Sequence, residues 1–227
     1  MKFWKSLPEN GFTLIELLIT LAISGIIMTG VYTAFKSQQD SYLAQEQVAE
    51  MQQNIRAGID VMVRDIRMAG FDPDNTDDYG VTGATADQFV FTLDDPDSPG
   101  SPITRTYELY TTGAGISALR RTAAGAAIAE NIDELEFLYV LDDGTPLLAP
   151  TTGQFGDIRS VQISILARAR QPDRNYTDNN FYCPGSNPLD SGTGDCAAPA
   201  GKKWGPYDDN FRRRFQITTV NLRNMGL

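Results

Sequence analysis

Hydrophobic and polar positions fall into three regimes along the chain. From Phe12 to Phe35 apolar residues occupy every side of any helix drawn through them, and Glu16 is the single charge. At ~1.5 Å of rise per residue this stretch makes a helix of roughly 36 Å, enough to cross a hydrocarbon core of ~30 Å. The ten residues before Gly11, MKFWKSLPEN, carry Lys2 and Lys5, so the leader is expected to stay cytoplasmic and everything after Phe35 to face outward. Past Phe35 the pattern becomes one-sided. Val48, Met51, Ile55, Ile59, Met62, Val63 and Ile66 recur in steps of three and four, while Gln52, Gln53, Arg56, Asp60, Arg64 and Arg67 fill the other face. No proline interrupts Phe12 to Gly70, and Gly70 with Pro73 supplies stop signals. The pattern therefore predicts one continuous helix over 12–70, membrane-embedded over 12–35 and amphipathic over 36–70.

From Phe71 the period shortens to two. Strands are expected over 88–93, 103–112, 115–122, 134–141, 157–169 and 211–223, with Asp/Pro/Gly-rich loops over 72–80 and 94–102 and a long polar stretch from Gln171 to Asn210. No second helical segment is long enough to support parallel crossovers, so the sheet should be mostly antiparallel. The expected fold class is α+β: a long N-terminal helix packed on a mostly antiparallel β-sheet head spanning 71–227.

An ordinary secretory signal ends its apolar region at a small-residue site such as A-x-A, and this apolar region has none. The processing signal precedes it instead. A short basic leader, Gly11, Phe12, and Glu16 as the fifth residue after the glycine resemble the class III signal of type IV pilins and pseudopilins. The resemblance implies a leader over 1–11, cleavage between Gly11 and Phe12 by a prepilin peptidase, and N-methylation of Phe12. The segments 64–73, 129–146, 158–169 and 212–224, in that order, resemble the PilW family of minor type IV pilins; J-type minor pseudopilins of type II secretion share the leader and the general architecture. Membership of the family would imply a non-enzymatic protein that waits in the inner membrane as a single-pass subunit with a periplasmic head. It would then join other minor pilins and the major pilin to prime a pilus, at or near the tip. An adhesin or ligand-binding head is the alternative from another class. An exposed aromatic or basic patch would favour that alternative, and exposed apolar area confined to one helix-proximal flank would favour assembly.

Glu16 can also be read on physical grounds. A carboxylate in an apolar span costs about 2.5–3.5 kcal/mol on insertion scales and is by default functional and paired. Once the leader is removed, the nearest cation is an α-ammonium on Phe12, its own or a neighbour's, and pairing the two would fix the register between packed helices. The net charge of −10 becomes one unit more negative when Lys2, Lys5 and Glu9 leave, which opposes binding to nucleic acid. The chain has no histidine, the commonest acid–base residue and metal ligand, and no cofactor or metal is expected. Cys183 and Cys196 are the two cysteines. In an oxidising periplasm they favour a disulfide over free thiols or a metal site, stiffening an exposed loop too rich in proline and glycine to hold its shape by packing. GAGISA (113–118) matches a dinucleotide-binding pattern but reads better as a hairpin return. Asp72, Asp74, Asp77 and Asp78 lack the glutamate that closes a calcium loop, and Arg212 to Arg214 read as surface ion pairs.

Overall fold

A computed structural model of the chain describes residues 11–74, 79–122, 125, 127–192, 195–198 and 202–225. Among the described residues there is one α-helix, α1 (Leu14–Ile66), and the chain divides into two compact units with the boundary between Glu46 and Gln47. In the first unit, the side chains of α1 from Leu14 through Tyr42 are exposed throughout. The apolar residues expected in a membrane therefore find no cover within their own unit.

The second unit has two antiparallel sheets. The first, in spatial order, holds β1 (Val81–Ala84), β2 (Gln88–Asp95), β3 (Ser98–Thr111), β4 (Ser117–Arg120) and β5 (Ala127–Glu130). The second is ordered β7 (Pro146–Leu147), β6 (Ile132–Leu141), β8 (Ile158–Arg168) and β9 (Arg213–Asn221). A single sheet was the simplest expectation; the chain instead changes sheet at Asn131, a non-glycine residue with φ of 55° set between β5 and β6. Asparagine tolerates this left-handed conformation better than most side chains, and the corner it makes starts the second sheet.

Alternation decides which faces meet. Met51, Ile55, Ile59, Met62 and Ile66 on the last turns of α1 share one core with Phe89, Phe91 and Tyr107 of the first sheet and Phe137, Tyr139, Val161, Ile163, Ile165 and Val220 of the second. Phe89 lies at the centre, its ring 5.2 Å from Phe91, 6.0 Å from Phe137 and 5.5 Å from Tyr139. The sheets are also stitched by main chain: Phe137 N–H donates to the Ala86 carbonyl at 2.8 Å, and the Tyr139 hydroxyl donates to the Thr85 carbonyl at 2.9 Å. Tyr139 thus fills the core and still places its buried hydroxyl on a partner.

The helix ends four residues before Gly70, in a turn over 67–70. Gly70 has φ of +72°, and its N–H donates to the Thr92 carbonyl at 3.0 Å. Strand boundaries differ most at 94–102, read from sequence as a loop because of its prolines and aspartates. Asp95 pairs with Ser98 there, so β2 and β3 form one long hairpin. Pro99 and Pro102 are tolerated because this end of β3 is exposed. GAGISA lies in the tight β3–β4 turn, with Thr111 opposite Ser117.

Candidate functional site

Gly11 and Phe12 precede α1 outside any regular element and are exposed, with Phe12 87% accessible. Residues 1–10 of the expected leader lie outside the described residues. Two residues on, Thr13 and Glu16 form a reciprocal pair. The Thr13 N–H and hydroxyl donate to Glu16 Oε2 at 2.9 and 2.8 Å, and the Glu16 N–H donates to Thr13 Oγ1 at 3.3 Å. Since Leu17 N–H donates to the Thr13 carbonyl at 3.2 Å, Thr13 is the N-cap and Glu16 the third helical residue, the arrangement of a capping box. The signal T-x-x-E before an apolar run was present in the sequence. Read as a membrane carboxylate, Glu16 concealed its local partner. Beyond the cap, Leu14, Ile15, Leu17, Leu18, Ile19, Leu21, Ile23 and the apolar residues through Phe35 are all exposed.

The long segment between β8 and β9 is the second candidate region. Cys183 and Cys196 form a disulfide, and both are buried. The loop is not merely polar and exposed, as its composition suggested; it docks on the outer face of the second sheet. Glu136 of β6, fully buried, accepts the Ser186 N–H at 3.0 Å and the Ser186 hydroxyl at 2.9 Å, with Lys202 Nζ at 3.7 Å. The Gly185 N–H donates to Ser164 Oγ of β8 at 2.8 Å. Buried polar atoms on a sheet face take these partners because leaving them unpaired would cost about 1–3 kcal/mol each.

Arg213 holds the other end of this segment. It was read as one of three surface arginines, yet its side chain is 2% exposed. It donates to Asp133 at 2.7 Å, Asp178 at 3.1 Å and Asp209 at 2.6 and 2.8 Å, and its guanidinium lies 3.7 Å from the centre of the Tyr207 ring. Asp178, fully buried, also accepts the Tyr182 hydroxyl at 3.0 Å. Burial pushes the Asp133 carboxyl above its usual range, against the pull of Arg213. The more exposed Asp209 is held below that range, first by its hydrogen bonds from Arg213. Arg212 pairs with Asp173 at 2.8 Å, in line with the surface reading. Strand alternation sends Arg214 to the opposite face, where it lines a cleft with Gln52, Ile55 and Arg56 of α1. Which of the three arginines is buried is not readable from the run RRR alone, because the strand's phase against a loop some forty residues upstream is a tertiary fact.

A third feature runs along the seam between α1 and the C-terminal segment. Arg64 and Arg67 of α1 and the following turn, with Arg223, line a cleft whose apolar wall is Val63, Met68 and Phe71. Among the described residues of the second unit, Phe181, Leu189 and Ile217 are the exposed large apolar ones, so apolar exposure is not confined to a helix-proximal flank. Of the aspartates weighed as a calcium loop, Asp72 and Asp74 are described; Asp77 and Asp78 lie outside the described residues.

Comparison with known proteins gives two family matches. The prokaryotic N-terminal methylation motif covers residues 8–32, and the type IV pilus-assembly protein W family covers residues 106–224. No curated protein matches the chain. Among solved structures, a type IV-like pilin from Thermus thermophilus superposes with a TM-score of 0.50 at 14% identity, covering 78% of this chain and 98% of that one. At that identity the likeness is one of fold: a long N-terminal helix packed on antiparallel sheets.

Proposed function

The chain belongs to the PilW family of type IV pilus-assembly proteins, and from that premise we propose that it joins a complex of minor pilins that primes the filament, at or near its tip. A minor-pilin role, membrane anchoring through the N-terminal apolar helix and association with the pilus are the coarser statements on which this rests. The observation that carries the proposal is the uncovered apolar face of α1 from Leu14 to Phe35, headed by a prepilin motif. Apolar surface on that scale has two available covers in sequence: lipid before assembly and neighbouring pilin helices after it. Cleavage between Gly11 and Phe12 and methylation of Phe12 leave a helix that can pass from one cover to the other. Glu16 then sets the axial register by meeting an α-ammonium, its own or a neighbour's. The leader 1–11, the polymerising segment 12–35, the amphipathic segment 36–70 and the head 71–227 are the working parts of this reading.

Deletion of the gene with pilus retraction blocked is the test. A priming subunit should be needed for filament number, which falls sharply while the major pilin stays in the membrane. The second reading, a ligand-binding head, is favoured by the exposed arginines along the seam. In that case the deletion strain makes normal numbers of pili and loses attachment alone, and the same result removes the priming role. An N-terminal helix with the same motif also serves secretion pseudopili, and the family match to pilus assembly favours the pilus.

A further inference from the structure

In a protein of net charge −10, an exposed arginine that forms no ion pair is a notable feature. Most of the basic side chains of the head are paired: Arg105 and Arg121 with Asp65, Arg120 with Glu108, Arg168 and Arg213 with Asp133, Arg212 with Asp173. Arg56, Arg64, Arg67, Arg214 and Arg223 are exposed, and none has an ion-pair partner among the described residues. All five border the two clefts along one seam, between the last turns of α1 and the C-terminal segment. Arg64 and Arg67 also lie where the negative end of the helix dipole favours cations, which accounts for two of them. It does not account for Arg56, which lies earlier in α1, or for Arg214 and Arg223, which come from β9 and the residues after it. Arg56 and Arg214 line one cleft together, and no carboxylate is among the residues that line it.

We propose that this seam docks an acidic, apolar-tipped segment of a neighbouring pilin subunit, with carboxylates on Arg64, Arg67 and Arg223 and an apolar side chain against Met68 and Phe71. The inference rests on the assembly reading and adds to it the chemistry of one contact. Charge complementarity selects the occupant. A long polyanion would have to approach, along its whole length, a molecule whose total charge repels it. A short acidic segment meets the cleft alone, where three arginines outnumber the single carboxylate of Asp60, and the wall of Val63, Met68 and Phe71 gives it apolar area that a phosphate group would not use. Arginine suits the task, because its planar fork takes a carboxylate with two parallel hydrogen bonds.

The test uses the full-length protein in cells expressing the complete set of pilins. A photo-crosslinking phenylalanine analogue replaces Phe71, and the crosslinked peptide is mapped by mass spectrometry. The expected product joins Phe71 to a peptide of another pilin bearing clustered aspartate or glutamate. Its yield should fall about tenfold or more in the triple variant Arg64→Glu, Arg67→Glu, Arg223→Glu. Reversing the mapped acidic residues to arginine in the partner should restore the product. The control Arg174→Glu, also exposed, without an ion-pair partner among the described residues and lining neither cleft of the seam, should leave the yield unchanged. Protease resistance of the membrane-bound triple variant separates lost contact from lost fold. If the triple variant misfolds, Arg64→Gln with Arg67→Gln is read instead and should still lower the yield severalfold. A crosslink to lipid or nucleic acid, to a peptide without carboxylates, or one insensitive to the reversals overturns the proposal, as does the absence of any crosslink. An acidic peptide from a protein outside the filament overturns the subunit assignment. The deletion phenotype decides the assembly reading independently, because it counts filaments and this experiment identifies a contact.

Discussion

Arg213 concentrates more electrostatic work than any other residue of the head. It serves three carboxylates at once, so replacing it with methionine keeps the bulk and strands Asp133 and Asp178 in a site from which water is largely excluded. Breaking such a buried constellation costs about 3–5 kcal/mol, and Arg213→Met should lower the urea midpoint of the head accordingly. The same cluster gives a pH dependence. Burial raises the Asp133 pKa in the folded state, so the folded protein takes up that proton before the unfolded chain does. As pH falls from neutral toward the ordinary carboxylate range, this residue therefore adds stability. Asp209 acts in the opposite direction: its folded pKa is lowered, and its stabilisation is present above the unfolded value and lost as pH falls through the folded one. Stability measured against Asp133→Asn should show wild type gaining relative to the variant on mild acidification; a flat difference would refute the assignment. Sequence revealed that three arginines adjoin two aspartates. It could not reveal which of the three is buried, since that depends on where the strand's alternation meets Asp133 and Asp178.

At the scale of elements, α1 and the segment between β8 and β9 behave differently. The existence of the helix, its apolar face and its stop near Gly70 were legible because period and punctuation are local signals. The small residue that lets it lie close to the first sheet was not. A Cβ at Gly58 would stand 3.1 Å from the Ala129 Cβ and 3.5 Å from a Leu119 methyl. Gly58→Ala gains about 1 kcal/mol of helix propensity and meets a tight contact, so little net change is expected. Gly58→Leu should cost about 2–3 kcal/mol by lifting the helix from β4 and β5, measurable as a lower melting temperature. β1, β5 and β7 are four residues or fewer, too short for alternation to show, and β4, no longer than β1 or β5, is legible only through the Gly-rich turn before it. The cysteine-bearing segment was legible as a staple and illegible as a docked layer, because its anchors Glu136 and Ser164 lie on strands read only as alternating. Cys196→Ser should cost about 3 kcal/mol and open the segment to protease near Leu189. Adding Glu136→Gln should expose it as far as Ser186. If the single variant is already cut throughout, the polar anchors contribute nothing.

For the whole molecule, the order of parts was legible and the number of sheets was not, since a change of sheet at one residue leaves no periodic trace. The largest expectation at this scale concerns the processed end. Mature protein should begin at Phe12, shown by mass spectrometry of sheared filaments, and an intact Met1 start in peptidase-competent cells would overturn it. Glu16→Ala removes one half of the capping box at a cost of about 1 kcal/mol or less to an isolated helix, while membrane insertion should be unimpaired. The variant should therefore be abundant in the membrane and scarce in pili, and normal recovery in pili would leave Glu16 with the cap alone. The far end of the chain has its own part in closing the head. The Asn224 side chain donates to the Arg67 carbonyl at 3.3 Å, and Met225 packs beside Gly70 and Gly80. The end of the helix is thus sealed from 157 positions further along the chain. A seal drawn from so far along the chain cannot form locally, so the helix end stays open until β9 is in place: clipping the chain just after Leu222 should leave the sheets paired and expose the turn at Gly70 to protease.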